Sequence, residues 1–352
     1  MAIKTTTIGA YPKPDFLNVS DWFNMDHGGP DAADPTGRYQ AELARLGDDA
    51  EAQFLRAAEA VINDQVEAGV DIVTDGEVRR ENYIHYHCRH IEGIDFENLT
   101  STAVRGGNYE AKLPTIKAPI KAKSPFLPHD WKVAQAFSGR PVKITLPGPM
   151  TIGDTVADDF YDDPKKRGAE LAVALNAEIL ALAEAGCQYI QVDEPVFARK
   201  AADALDFGFE NLERCFHGVP EQVIRTVHMC CGYPDRLDNP NYQKAPKESY
   251  FQLAPAIEDS CIQAVSIEDA HRNNDLSLLE IFKTTTVIFG VVTIAKSETE
   301  SVDAIRERLN YALQHIDAER LIAAPDCGLG LLGRDLARTK LKNLCGAAKS
   351  VA

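Results

Sequence analysis

The sequence predicts an α/β fold, a (β/α)8 TIM barrel with long loop excursions after its first and second strands. Three observations predict it. Short apolar runs rich in β-branched residues alternate with longer helical patterns, eight runs in all. The runs are apolar on both sides rather than alternating, as parallel strands covered on both faces must be. The polar residues suited to chemistry fall just after the runs, where the C-terminal face of such a barrel carries its site. A doubly wound open sheet is the competing arrangement, but no Gly-rich phosphate turn follows the first run.

In chain order, the pattern predicts strands at Thr5–Gly9, Val70–Thr74, Val142–Leu146, Gln188–Val192, Ile224–Met229, Gln263–Ile267, Thr286–Val292 and Leu321–Ala324. The clearest helical periodicities cover Ala50–Ala68, Lys165–Ala185, Ser301–His315 and Arg334–Ala348. Gly69 and Gly186 follow two of these, where a left-handed stop is expected. Segments 11–49 and 78–140 break the repeat and are expected to be loop excursions over the barrel mouth. No internal repeat or linker divides the chain, so residues 1–352 are read as one catalytic domain.

The bulk numbers narrow the function. The 352 residues are 45% hydrophobic and 26% charged, an ordinary globular profile. A formal net charge of −16, with no Lys/Arg-rich run, argues against a nucleic-acid partner. No apolar stretch reaches membrane-spanning length and residues 1–15 hold no signal-peptide core, so the expected compartment is cytoplasmic. Thiols stay reduced there. The eight cysteines are then metal ligands, catalytic groups or small buried hydrophobes rather than disulfides.

Four residues at strand ends suggest one metal site. His228 and Cys230 close the fifth strand with the same parity, Glu268 closes the sixth and Cys327 follows the eighth. Neighbouring strands lie about 5 Å apart, so these mouths can converge. Zinc accepts N, S and O ligands in a tetrahedron, and a coordinated thiol is deprotonated. Glu268 is the ligand expected to exchange for an incoming sulfur. Taken singly, each residue could equally be a buried hydrophobe or a hydrogen-bonded strand end. Cys231 cannot face the same way as Cys230, and Cys88, Cys187, Cys215, Cys261 and Cys345 are expected to be structural.

Carboxylates occupy the other strand ends. Glu77 and Asp193 are the expected catalytic pair, clasping a substrate ammonium. Asp75 and Glu194 could as well be solvated charges or helix caps. Pro147-Gly-Pro149 is expected to shape the rim. His85, His87 and His90 are expected in a loop packed near the mouth rather than in a second metal cluster. Lys296 is either a solvated loop charge or a substrate-binding counter-ion.

Together the motifs Thr7-Ile-Gly-Ala-Tyr-Pro12, Asp75-Gly-Glu77, Pro147-Gly-Pro149-Met-Thr-Ile152, Gln191-Val-Asp-Glu-Pro195, His228-Met-Cys230, Ser266-Ile-Glu268 and Pro325-Asp-Cys-Gly-Leu329 resemble the cobalamin-independent methionine synthase family, in its C-terminal catalytic barrel. The resemblance implies Zn2+ on His228, Cys230, Glu268 and Cys327, with the sulfur of homocysteine joining it. It also implies a substrate-carboxylate contact at the backbone of Ile8, Gly9 and Ala10, and amine contacts at Glu77 and Asp193. Two positions depart from the family: Ala10 replaces a Ser, and Thr293-Ile-Ala295-Lys296 stands where an Asp-Ile-His segment is usual. The implied activity is zinc-dependent methyl transfer to a thiol, in methionine biosynthesis. The donor is expected to be a methyl-folate, a methyl-corrinoid protein or a small methylated compound. Alternatives are an epoxyalkane:coenzyme M transferase-like zinc alkyltransferase, which Lys296 would suit, and a non-catalytic barrel that binds thiol or metal.

Overall fold

The computed structural model describes residues 2–23, 35–104, 109–234 and 236–351. Its strands are β1 (Lys4–Thr5), β2 (Val73–Thr74), β3 (Ile91–Val104), β4 (Tyr109–Ala122), β5 (Val142–Pro147), β6 (Ala157–Asp158), β7 (Tyr189–Asp193), β8 (Ile224–Met229), β9 (Ala264–Ile267), β10 (Thr286–Val292) and β11 (Leu321–Pro325). Eight of them form one parallel sheet in the order β1-β11-β10-β9-β8-β7-β5-β2. A parallel bridge from Thr6 to Ile72 brings its two ends together, so the sheet curls into the expected barrel. Asp71 clamps that seam by accepting the backbone N–H and the hydroxyl of Thr5, each at 2.8 Å.

Two apolar clusters follow from the pleat. A large one lies between the sheet and the surrounding helices. A small separate one, Ile8, Ala264, Ile288 and Ala324, fills one layer of the barrel. The register places Thr226 beside Ala264 and His228 beside Ser266. Residues two apart point the same way, so the lumen turns from apolar to polar toward the C-terminal ends of the strands.

The long helices match the sequence periodicity: Asp49–Ala68, Pro164–Ala185, Val302–Ala312 and Arg334–Lys349. Gly69 and Gly186 stop the first two at φ 103° and 106°, and their N–H groups satisfy carbonyls of the last turn. Ser301 is the N-cap of the third, accepting the Ala304 N–H at 3.1 Å.

The excursions carry more structure than loops. Segment 11–49 contains the helix Pro35–Leu46, while residues 24–34 lie outside the described set. Segment 78–140 holds the helices Tyr83–Cys88 and Leu127–Ala136 and an antiparallel ribbon, β3 with β4, in which β4 also pairs with β6 on its other edge. The register of the ribbon shifts twice, and many of its described side chains are only partly buried. A ribbon with neither face fully covered lacks the strict alternation by which strands are read. The first two barrel strands are also shorter than the periodicity suggests, because the chain leaves the ladder after Thr6 and after Thr74 to build the rim.

Candidate active site

Three of the four predicted ligands come together. Among the described residues, donor atoms of His228, Cys230 and Cys327 all lie within 4.8 Å of one another. His228 is oriented through Nδ1, 2.9 Å from the Ser266 hydroxyl, which turns Nε2 toward Cys327 Sγ at 3.4 Å. The hydrogen bond from Cys327, with His228 beside it, holds the Cys230 thiol well below its usual range, and the same contact raises Cys327. Burial works against a charged His228, yet the adjoining Cys230 leaves it raised. Two sulfurs and one imidazole nitrogen, in mutual hydrogen-bond contact and with only Cys327 partly exposed, fit the zinc donor chemistry expected there.

Glu268 takes a different place. Its Oε2 accepts the Cys231 N–H at 2.9 Å and its Oε1 is bonded to Lys244. It groups with His271 and Asp326 instead of with the three soft donors. Burial, then the charge of Asp326, push its carboxyl up to about 7 against the pull of Lys244. Asp326 accepts the backbone N–H groups of Asp269, Ala270 and His271 and the His271 ring Nδ1 at 2.6–2.9 Å. The residue next to Cys327 thus stitches the segment that carries Glu268. His271 Nε2 accepts the Ala295 N–H at 3.2 Å, so its proton sits on Nδ1 facing Asp326.

The acidic pair lies at the same end of the barrel. Asp193 is the register neighbour of His228. Burial raises its carboxyl to about 7. Glu77 accepts the Thr145 hydroxyl at 2.7 Å and pairs with Arg80 at 3.2 Å. Burial again raises it, with Arg80 opposing. Its φ of 57° is unusual for a residue with a side chain, and such strain collects at functional sites. Gly9 is required beneath it, since a Cβ there would stand 2.6 Å from Glu77 Oε1. Tyr83 lies among these groups: burial raises its phenol, and the charges acting on it are Asp193, Cys230, Cys327 and Glu77. A pocket lined by Ala10, Lys13, Trp22, Glu77, Arg80 and Tyr83 opens beside them.

The Ile8–Ala10 segment is held through its carbonyls. They accept the Gln191 amide at 2.9 Å, the Thr74 hydroxyl at 2.8 Å and the Leu329 N–H at 2.7 Å. Asp75 is bonded to the Glu77 N–H and paired with Arg80. Glu194 is a cap, accepting the N–H groups of Met150 and Thr151 at the start of the helix Pro149–Thr155. Gly148 makes room for that carboxylate, as expected of a shaping turn. The histidines are expected in a loop, but His85 and His87 lie on the helix Tyr83–Cys88: His85 packs on Thr36 at 2.7 Å, His87 on the Tyr83 carbonyl at 2.5 Å, and His90, just beyond, stacks on Phe126. Lys296 is exposed, with Asp238 among the charges near it, and joins none of these groups.

Sequence reasoning passed over Tyr83, Arg80, Gln191, His271, Lys244 and Asp326. A signal existed for two of them. Gln191 shares the parity of Asp193, and Asp326 adjoins Cys327.

Comparison with known proteins agrees with the fold and gives the family. Residues 30–350 match the family described as cobalamin-independent synthase, catalytic domain. The chain is 28% identical over 349 residues to a methionine synthase of Sulfolobus acidocaldarius, covering 97% of this chain and 90% of that one. It is also 28% identical over 352 residues to one from Saccharolobus solfataricus, covering 99% and 95%. A solved B12-independent methionine synthase from a Shewanella species, in complex with selenomethionine, superposes with a TM-score of 0.84 at 28% identity, over 99% of this chain and 97% of that one.

Proposed function

The chain belongs to the cobalamin-independent methionine synthase family, whose members are methyltransferases, and we propose that it is a zinc-dependent S-methyltransferase with homocysteine as acceptor. The observation that carries the proposal is the convergence of His228, Cys230 and Cys327 beside the acidic pair Asp193 and Glu77. Selenomethionine, found with the Shewanella relative, has the amino-acid frame of methionine, which supports an amino-acid acceptor for this barrel.

The three soft donors would hold the ion. Zinc there supplies Lewis acidity that lowers the pKa of an incoming thiol. The protein's own groups do the rest. Asp193 and Glu77 orient the amino acid through its ammonium, and the Ile8–Ala10 backbone receives its carboxylate. Burial keeps water from competing for these contacts. The sulfur then attacks a methyl group in line with its leaving group, and positioning of this kind contributes several kcal/mol. Glu268 feels the charge of Cys230, and for it to join the ion its bonds to Lys244 and Cys231 would have to open first. We read residues 1–352 as one catalytic domain working in the cytoplasm, where its eight free cysteines stay reduced. No described helix is long and apolar enough to cross a membrane.

Methionine formation should be measured with zinc-loaded protein, homocysteine and, in turn, a methyl-folate, a methyl-corrinoid protein and small methylated compounds. Turnover with one donor supports the proposal, and no methionine from any of them overturns it.

A further inference from the structure

We propose that Gln191 is a positioning residue that joins the carboxylate-binding and amine-binding halves of the amino-acid site. The inference rests on the reading of Ile8–Ala10 and Asp193 as substrate contacts.

Gln191 is fully buried in the barrel lumen, one turn of the pleat below Asp193 on β7. A buried primary amide is costly unless its donors and acceptor are all used. Here they are. Lys143 Nζ, on the neighbouring β5, donates to Oε1 at 2.6 Å. Nε2 donates to the Ile8 carbonyl at 2.9 Å and to Asp193 Oδ1 at 2.7 Å. Ile8 lies far away in the chain, just beyond β1.

The chemistry of these partners allows one orientation. A charged lysine only donates, whereas a carbonyl and an ionised carboxylate only accept. Turning the amide over would set its oxygen against the Ile8 carbonyl, which can only accept whatever the charges of Lys143 and Asp193. The arrangement does not depend on the charge of Lys143, because a neutral amine still carries N–H donors. Burial does draw Lys143 down to about 7.

Two consequences follow for a bound α-amino acid. Asp193 has Oδ1 committed to Gln191, which presents Oδ2 to an incoming cation. The Ile8 carbonyl is pinned to the same side chain, so the spacing between Asp193 and the Ile8–Ala10 backbone is set by one amide. The ammonium and carboxylate of an α-amino acid are attached to a single carbon, so that spacing has little slack, and misplacement of a contact by about 1 Å costs heavily.

The test uses the full chain in its cobalt-substituted form and two probes, homocysteine and 2-mercaptoethanol, each followed by titration calorimetry and by the cobalt absorbance. Gln191→Met keeps the length and removes every hydrogen bond. Gln191→Glu keeps the Lys143 contact and removes both donations, so it serves if the first variant does not fold. Either should weaken homocysteine about tenfold or more while leaving 2-mercaptoethanol within about twofold. Combined with Asp193→Asn, the loss for homocysteine should be less than additive. Unchanged homocysteine affinity in a folded variant, or equal loss for both thiols, overturns the inference while the proposed function stands. Wild-type protein that fails to bind homocysteine overturns both.

Discussion

At the residue scale, the site is decided by which atoms are already committed. His228 spends Nδ1 on Ser266, so Nε2 is the nitrogen available beside Cys327. Glu268 spends both oxygens, on Lys244 and Cys231. Zinc content therefore separates the four predicted ligands. Cys230→Ser and Cys327→Ser should lose most of the metal, and Glu268→Gln should keep close to one equivalent, as read by elemental analysis after dialysis. A Glu268→Gln protein as empty as the cysteine variants would make that carboxylate a full ligand. A second residue bears on pH. Glu178 accepts the N–H groups of Phe126 and Leu127 at 3.0 and 2.7 Å, and burial raises its carboxyl to about 7. An unfolded glutamate titrates near about 4.3. The folded state thus binds this proton more tightly, and its stabilising contribution is full below about 4.3 and lost as pH rises through about 7. Glu178→Gln keeps the acceptor, so it should be more stable than the wild type at pH 8 by about 3 kcal/mol and equal to it near pH 4.5, in urea melts.

At the element scale, the loops that follow strands are built as tightly as the core. The turn between β5 and the helix Pro149–Thr155 is one case. Glu194 reaches back from the end of β7 to bond the first N–H groups of that helix, and burial raises it to about 8. Gly148 lies under the carboxylate, where an added Cβ would stand 2.1 Å from Oε1. Gly148→Ala should destabilise the protein by about 3 kcal/mol, detected as a lower melting temperature, because neither the cap nor the strand can yield. An alanine variant that melts with the wild type would show that Glu194 moves freely. The segment after β9 is tied in the same manner by Asp326 and, through Asp269, by Arg308 at 2.7 Å. Soft donors on separate strands stay within reach of one ion because such ties leave their loops few alternatives.

At the scale of the whole molecule, the barrel is closed by a short seam and its site spans distant parts of the chain. β1 and β2 contribute two ladder residues each, with the Thr6–Ile72 bridge and Asp71 completing closure. The three soft donors come from β8 and β11, on either side of β9 and β10. An ion held there binds the folded barrel and not the unfolded chain, so it adds stability by mass action, about 2.7 kcal/mol at a hundredfold excess over Kd. Chelation should lower the melting temperature by about 5 °C and added zinc should restore it, in scanning calorimetry. A melting temperature indifferent to chelator would argue against a resident metal.

The sequence by itself determined the barrel, its long helices with their glycine stops, and the set of strand ends that carry chemistry. These are local signals: buried parallel strands read as apolar runs, helices carry a period, and a lone His or Cys at a strand end stands out against both. Only the tertiary structure decided which of those residues share partners. It took Glu268 to Lys244 and Lys296 to the surface, made Glu194 a cap, and built the ribbon of β3 and β4 from a segment with no strict alternation. It also placed Lys143, Gln191, Asp193 and Ile8 in one chain of hydrogen bonds. Hydrogen-bond partners are chosen by distance in space, and residues as far apart as Ile8 and Gln191 leave no mark of that choice on their neighbours in the chain.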